Sequence, residues 1–194
     1  MLKKDLKIIL ASASPRRRQM LADAGYEFSV CVPGVEEHDP EFGDPHEIAK
    51  HNALAKARAA AKNFSSGIII GSDTVVALGG RIIGKPADDA DAVKILKTLS
   101  GTRHSVVSAA ALVDASDGRF AAFSDETFVT MRRMTDAEIA EYVKSGEAAD
   151  KAGAYAIQET GDRFVVKLEG LMSTVVGFPI EQFEKFLSDF LKGA

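Results

Sequence analysis

Along the chain, hydrophobic positions fall into runs that alternate between two periods. Leu6-Lys7-Ile8-Ile9-Leu10 is short and β-branched enough to predict a buried strand. Met20, Leu21 and Ala24 recur at helical spacing, with Gly25 where a helix stops. Ser14 before Pro15 predicts that helix's start, because proline suits the first helical position and leaves the serine oxygen free to cap. Glu27 to Val32 alternates as a strand that Pro33-Gly34 ends, and Asp44-Pro45-His46-Glu47 resembles a capping box opening an alanine-rich helix to about Lys62.

Gly67 to Leu78 is a continuous apolar run of the kind buried strands show. Gly79-Gly80 then reads as a two-residue hairpin loop, which pairs Leu78 with Arg81 and returns Lys85 beside Thr74. An amphipathic helix over Asp88 to Leu99, antiparallel strands over His104 to Val113 and Arg119 to Met131, and a capped helix from Thr135 to Gly146 follow. Asp150 to Gln158 is expected to pass from a charged loop into a short strand. Arg163 to Leu168 and Leu171 to Val176 are expected to form a hairpin, and Pro179 to open a helix with Phe183, Phe186, Leu187, Phe190 and Leu191 on its core face.

Candidate chemistry lies where residues break this pattern. Arg16, Arg17 and Arg18 occupy the first turn of a helix, whose N-terminus disfavours cations, so they either wait for an anion or pair with nearby acids as a solvated surface. Successive side chains diverge, so Arg16 and Arg17, nearest the mouth, are the better candidates. Asp73 interrupts an apolar strand where a buried charge is costly unless cations or donors meet it. Asn52 and Lys56 share one helix face, and Glu36-Glu37-His38-Asp39 is either a solvated loop or an oxygen-rich cation site. A regular ladder points Asp73 and Lys85 to opposite faces, so a shared site requires a bulge or a strand end. Gln158 offers donor and acceptor together, which would match a uracil or thymine edge if it faced a pocket and would otherwise be a surface amide.

Composition narrows these options. A chain of 194 residues, 46% hydrophobic, can bury a sizeable core as a single domain over 1–194. A net charge of −4 argues against nucleic-acid or membrane-surface binding, and one cysteine, Cys31, excludes an internal disulfide framework. The N-terminus shows no signal-peptide core, so a cytoplasmic protein is expected. Neither a dinucleotide-binding glycine motif nor a P-loop is present. Scattered cations around an embedded carboxylate point to a phosphate-rich ligand held with a divalent metal.

Leu10-Ala-Ser-Ala-Ser-Pro-Arg-Arg17, Asn52-Ala-Leu-Ala-Lys56-Ala, Gly71-Ser-Asp-Thr-Val-Val76, Gly84-Lys-Pro86, Ser100-Gly-Thr, Ser145-Gly-Glu147, Asp150-Lys-Ala-Gly-Ala-Tyr155 and Val176-Gly-Phe-Pro179 together resemble the Maf family of nucleoside triphosphate pyrophosphatases, colinearly over nearly the whole chain. The resemblance implies a mixed α/β fold in two lobes, a central mixed β-sheet flanked by helices as in inosine triphosphate pyrophosphatases, with substrate in the cleft. It implies hydrolysis of a nucleoside triphosphate to monophosphate and pyrophosphate with a divalent cation, magnesium or manganese, and it is consistent with a homodimer. Asp73 would activate water; Arg16, Thr74 and Gln158 would set substrate choice; Ser12, Arg17, Lys56 and Lys85 would hold the triphosphate; and Glu36 would bind metal with Asp73. The segment from Asp150 to Gln158 is similar to the branch acting on dTTP and UTP, CTP or modified pyrimidine nucleotides being related substrates, although Ala156 stands where that branch usually has glycine. The branch acting on 7-methyl-GTP and a non-catalytic nucleotide-binding regulator of septum formation are the rival readings.

Overall fold

A computed structural model describes residues 6–157 and 160–193. Its described residues build a seven-stranded sheet, ordered β2-β1-β3-β5-β6-β7 with β4 pairing β3. The strands are β1 (Ile8–Leu10), β2 (Ser29–Val30), β3 (Ile68–Leu78), β4 (Arg81–Ile83), β5 (Arg103–Asp114), β6 (Phe120–Met131) and β7 (Val165–Glu169). β1 runs parallel to β2 and β3, and every other pairing is antiparallel, so the sheet is mixed as expected. The helices are α1 (Pro15–Asp23), α2 (Pro45–Ala61), α3 (Asp89–Leu99), α4 (Asp136–Lys144), α5 (Met172–Val176) and α6 (Ile180–Lys192).

Alternation along β3 assigns the layers. Ile69, Val75 and Ala77 face α2, packing with Ala49, Ala53 and Ala57. Ile68 and Ile70 point to the other face, where Leu21 and the α6 residues Phe183, Leu187 and Phe190 cover them. Further along that same face, Val76 joins Leu96, Leu99, Ile139 and Tyr142 from α3 and α4. The two clusters on this face are the two lobes, and Ser72 and Thr74 lie between them.

Helix α2 lies unusually close to the sheet. A Cβ added at Gly71 would stand 2.0 Å from Ala53 O, so only glycine admits this backbone contact. The alanine face of α2 and the missing side chain of β3 thus act together to bring Asn52 and Lys56 onto the sheet.

Caps fall where the residues predict. Ser14 Oγ accepts from Arg17 N, Asp44 Oδ1 from His46 N, and Thr135 and Glu138 form a reciprocal capping box. Three expectations are corrected. The strand over Glu27 to Val32 shrinks to Ser29–Val30, an exposed edge. The stretch after Asp150 is a 3₁₀ turn over Ala152–Ala154 rather than a strand, because Gly153 and Ala154 take φ values of 75° and 57°, outside any ladder geometry. Leu171 to Val176 forms α5 and not the second arm of a hairpin. The β7 strand pairs with β6, Ser108 Oγ donates to Thr174 O, and Gly177 in the left-handed region ends the helix.

Candidate active site

The sheet carries a notch along one edge of β3. Strand β1 pairs with Ile68, Ile69 and Ile70 and stops; β4 pairs with Val76, Ala77 and Leu78. Between them, residues 71–75 have β5 on one side and no strand on the other. Side chains from both faces of β3 reach this gap, and a cleft of about 530 Å³, within the range of small-molecule sites, opens there.

The notch explains how residues of opposite pleat share one site. Asp73 points to the α2 face and Thr74 to the other, yet both line the cleft. The register of β3 and β4 pairs Leu78 with Arg81, as the glycine pair predicts. Strand β4 ends at Ile83, so Lys85 is released from the ladder. Its ammonium reaches Glu37 at 3.2 Å.

Asp73 is nearly buried, and both of its oxygens are met from α2. Lys56 Nζ donates to Oδ1 at 2.6 Å and Asn52 Nδ2 to Oδ2 at 3.1 Å. The same ammonium lies 2.6 Å from Glu37 Oε1, so Lys56 bridges two carboxylates. Burial raises the Glu37 pKa, but the hydrogen bonds and charges of Lys56 and Lys85 outweigh it and hold the carboxyl at about 2. Asp39 moves the other way. Burial, then the charges of Glu37 and Asp73, push its carboxyl above the ordinary range. Glu37 and Asp39 both line the cleft, whereas Glu36, expected as a metal ligand, is exposed and is not part of the lining.

The two expected arginines are placed differently. Arg17 donates from Nε to Gly177 O at 2.9 Å, from Nη1 to Ser72 O at 3.0 Å and Ser12 Oγ at 3.3 Å, and from Nη2 to Thr74 Oγ1 at 3.0 Å. Ser72 O lies on the open edge of β3, so the guanidinium supplies the donor that a neighbouring strand would have given. Burial lowers the Arg17 pKa, against the opposing charges of Asp73 and Glu37. Arg16, one residue earlier, lines the cleft with no side-chain hydrogen bond or ion pair among the described residues, its charge acting on Asp150.

Ser12 lines the mouth of α1, its Oγ accepting from Ser14 N at 3.2 Å. Thr74 is held by Ser108 Oγ at 2.8 Å as well as by Arg17. The far wall is the turn from Asp150 to Ile157, in which Gly153 N donates to Gly84 O, Ala156 N donates to Tyr142 Oη at 3.1 Å, and Tyr155 Oη lies 2.8 Å from His104 Nε2. Gln158 lies outside the described residues; Ala156 and Ile157 before it line the cleft. Sequence reasoning therefore brings Ser12, Arg16, Arg17, Lys56, Asp73, Thr74 and Lys85 to one place. It underrated Asn52, whose buried position on the Lys56 face was the available signal.

A family profile described as Maf-like protein matches residues 7–190. The chain belongs to the Maf family. It is 43% identical over 185 residues to a protein of Dictyoglomus turgidum named dTTP/UTP pyrophosphatase, covering 95% of this chain and 96% of that one. A Bacillus cereus protein of the same name is 42% identical over 184 residues, covering 95% of each. Among solved structures, the Staphylococcus aureus Ham1 protein superposes with a TM-score of 0.53 at 17% identity, over 94% of this chain and 98% of that one, which places the Maf chain's mixed sheet in a shared fold.

Proposed function

We propose that this Maf protein is a nucleoside triphosphate pyrophosphatase acting on dTTP and UTP. The observation that carries the reading is the convergence of Arg16, Lys56 and Lys85 on the cleft that contains Asp73. Relatives at about 40% identity over nearly the full chain supply the substrate class through their names.

The polyphosphate enters beside the first turn of α1, where Ser12 and Arg16 meet it. Lys56 and Lys85 neutralise the remaining phosphates; Lys56, already shared between Glu37 and Asp73, has a third donor for a phosphate oxygen. Water adds to the α-phosphorus as the bridging oxygen departs with pyrophosphate, and Asp73 takes the proton. Arg17 fixes Ser12 and Thr74 so that phosphate and base each meet a preset wall. The Asp150 to Ile157 turn, with Gln158 next in the chain, faces the base.

Among the described residues no three carboxylate or imidazole side chains are gathered as a ready-made cation site, and Lys56 and Asn52 already meet Asp73. Glu37, Asp39 and Asp73 stand close enough for two of them to raise the pKa of the third, a repulsion that a cation relieves. A cation there would need the polyphosphate's own oxygens beside these carboxylates, and Glu36 lies outside the cleft lining. When bound, such an ion neutralises the polyphosphate and fixes its oxygens for in-line displacement.

Purified protein with magnesium or manganese is expected to release pyrophosphate from dTTP and UTP faster than from CTP or 7-methyl-GTP. Asp73→Asn should cut turnover by about a thousandfold while the protein still unfolds cooperatively. Orthophosphate as first product, or preference for 7-methyl-GTP, overturns the assignment. Nucleotide binding without turnover under either metal would return the protein to the regulator reading.

A further inference from the structure

We propose that Asn52 is a positioning residue that ties the acidic loop to the catalytic carboxylate. The residue is 4% exposed, and its side chain makes three hydrogen bonds. Oδ1 accepts from His38 N at 2.9 Å, and Nδ2 donates to His38 O at 2.9 Å and to Asp73 Oδ2 at 3.1 Å. Both amide donors and one acceptor site are thereby used, and they join two segments that no ladder connects.

The loop depends on this link. Its backbone is anchored at one end where Cys31 N donates to Leu10 O, and at the other where Glu41 O accepts from Ile82 N. Between these points, among the described residues, the hydrogen bonds to the loop's backbone are the two from Asn52. The paired bonds reproduce the two bonds of an antiparallel β-bridge, with a side chain in place of a strand. His38 sits between Glu37 and Asp39, the two loop carboxylates of the cleft, so holding its peptide groups fixes where both stand relative to Asp73. The geometry begins at Gly71, whose bare Cα lets α2 approach closely enough for a side chain as short as asparagine to span loop and strand.

Chemistry specifies the amide. Aspartate at 52 has the same shape but no donor, so it would lose His38 O, lose Asp73 Oδ2 and place a second carboxylate beside the first. Alanine would release the loop without that repulsion. The tether acts on catalysis by setting geometry, and it leaves the nucleotide's own contacts at Arg16 and Lys85 in place.

The test pairs a kinetic arm, which rests on the proposed pyrophosphatase activity, with one that needs no turnover. Amide exchange followed by mass spectrometry or NMR on nucleotide-free protein should show His38 N–H exchanging about tenfold faster in Asn52→Ala, with the amides of β5 unchanged. Steady-state rates on dTTP should show kcat down by about tenfold or more with KM within about threefold, and Asn52→Asp, the isosteric variant, more impaired than alanine. Unchanged His38 exchange, unchanged kcat, an aspartate variant as active as wild type, or loss of cooperative unfolding in both variants each overturns the tether. Absence of pyrophosphate release from wild-type protein would overturn the functional reading instead, and the exchange arm would still decide whether Asn52 holds the loop.

Discussion

The cleft has two walls of different construction. The chemical wall is regular: β3 carries Asp73, α2 carries Asn52 and Lys56, and the two elements touch backbone to backbone at Gly71. The opposite wall, from Asp150 to Ile157, has no ladder of its own; Tyr142 Oη, His104, a backbone bond to Gly84, the Lys151 ammonium on Glu147 O and the burial of Ala154 and Tyr155 hold it to the core. Precision in the first wall follows from elements whose spacing a single methyl group would change. Adaptability in the second follows from turns that can be altered without unfolding the sheet.

The largest effect should come from breaking the contact at Gly71. In Gly71→Ala the new methyl meets Ala53 O, a backbone atom that cannot rotate away, so α2 must shift. Overpacking of this kind costs about 3 kcal/mol or more. Urea unfolding measures the loss, and pyrophosphate release should fall beyond what the unfolded fraction explains, because Asn52 and Lys56 move with the helix.

The neighbouring arginines sharpen the comparison. Arg17→Ala strands Ser72 O in the notch, while Gly177 O keeps the Ser72 hydroxyl at 3.2 Å, and should cost about 2 kcal/mol. Arg16→Ala, which removes a side chain with no hydrogen bond or ion pair among the described residues, should leave stability within about 0.5 kcal/mol and raise KM for dTTP and UTP instead. Equal losses of stability in the two variants would contradict the division of labour.

How much of this was legible beforehand depended on how local the cause was. Asp73 showed itself by interrupting an apolar run, the β3 to β4 register by Gly79-Gly80, and each cap by its own two or three residues. The split between Arg16 and Arg17 did not show, because it rests on a carbonyl left open where β1 stops and β4 has not begun, a fact of topology. Leu171 to Val176 carries β-branched residues and still folds as a helix, leaving β7 as the sheet's edge, because Ser173, Thr174 and Val176 are buried there and Ser108 Oγ donates to Thr174 O. Nor could an acidic run show which carboxylates reach the cleft: Glu37 and Asp39 line it on either side of His38, whose peptide groups bond to Asn52, an arrangement seen only when α2 is docked.

His104 tests the second wall through pH. Burial lowers its pKa to about 4 from an ordinary 6.5, so between those values the unfolded chain binds the proton and the folded one does not. Stability is therefore complete above about pH 6.5 and falls as the pH drops toward 4, by about 2 kcal/mol at pH 5 for this group alone. Urea midpoints across that range should slope less in His104→Gln, which keeps a hydrogen-bonding side chain for Tyr155. Parallel slopes in the two proteins would mean that the histidine is protonated inside the fold.

The smallest effect, and the most specific to the second wall, belongs to Tyr142. Its hydroxyl accepts from Ala156 N while its ring packs edge-on against Phe164 at 5.4 Å, so Tyr142→Phe removes the bond and preserves the packing. The stranded amide should cost about 1 kcal/mol, read as a small fall in thermal midpoint. The chemical wall is untouched, since neither Asp73 nor its partners contact this hydroxyl. Looser placement of the Ala156 turn should therefore raise KM for dTTP and UTP and leave kcat close to wild type, the reverse of the pattern expected when Asn52 is changed. A variant that lost kcat and kept KM would show the two walls to be mechanically one.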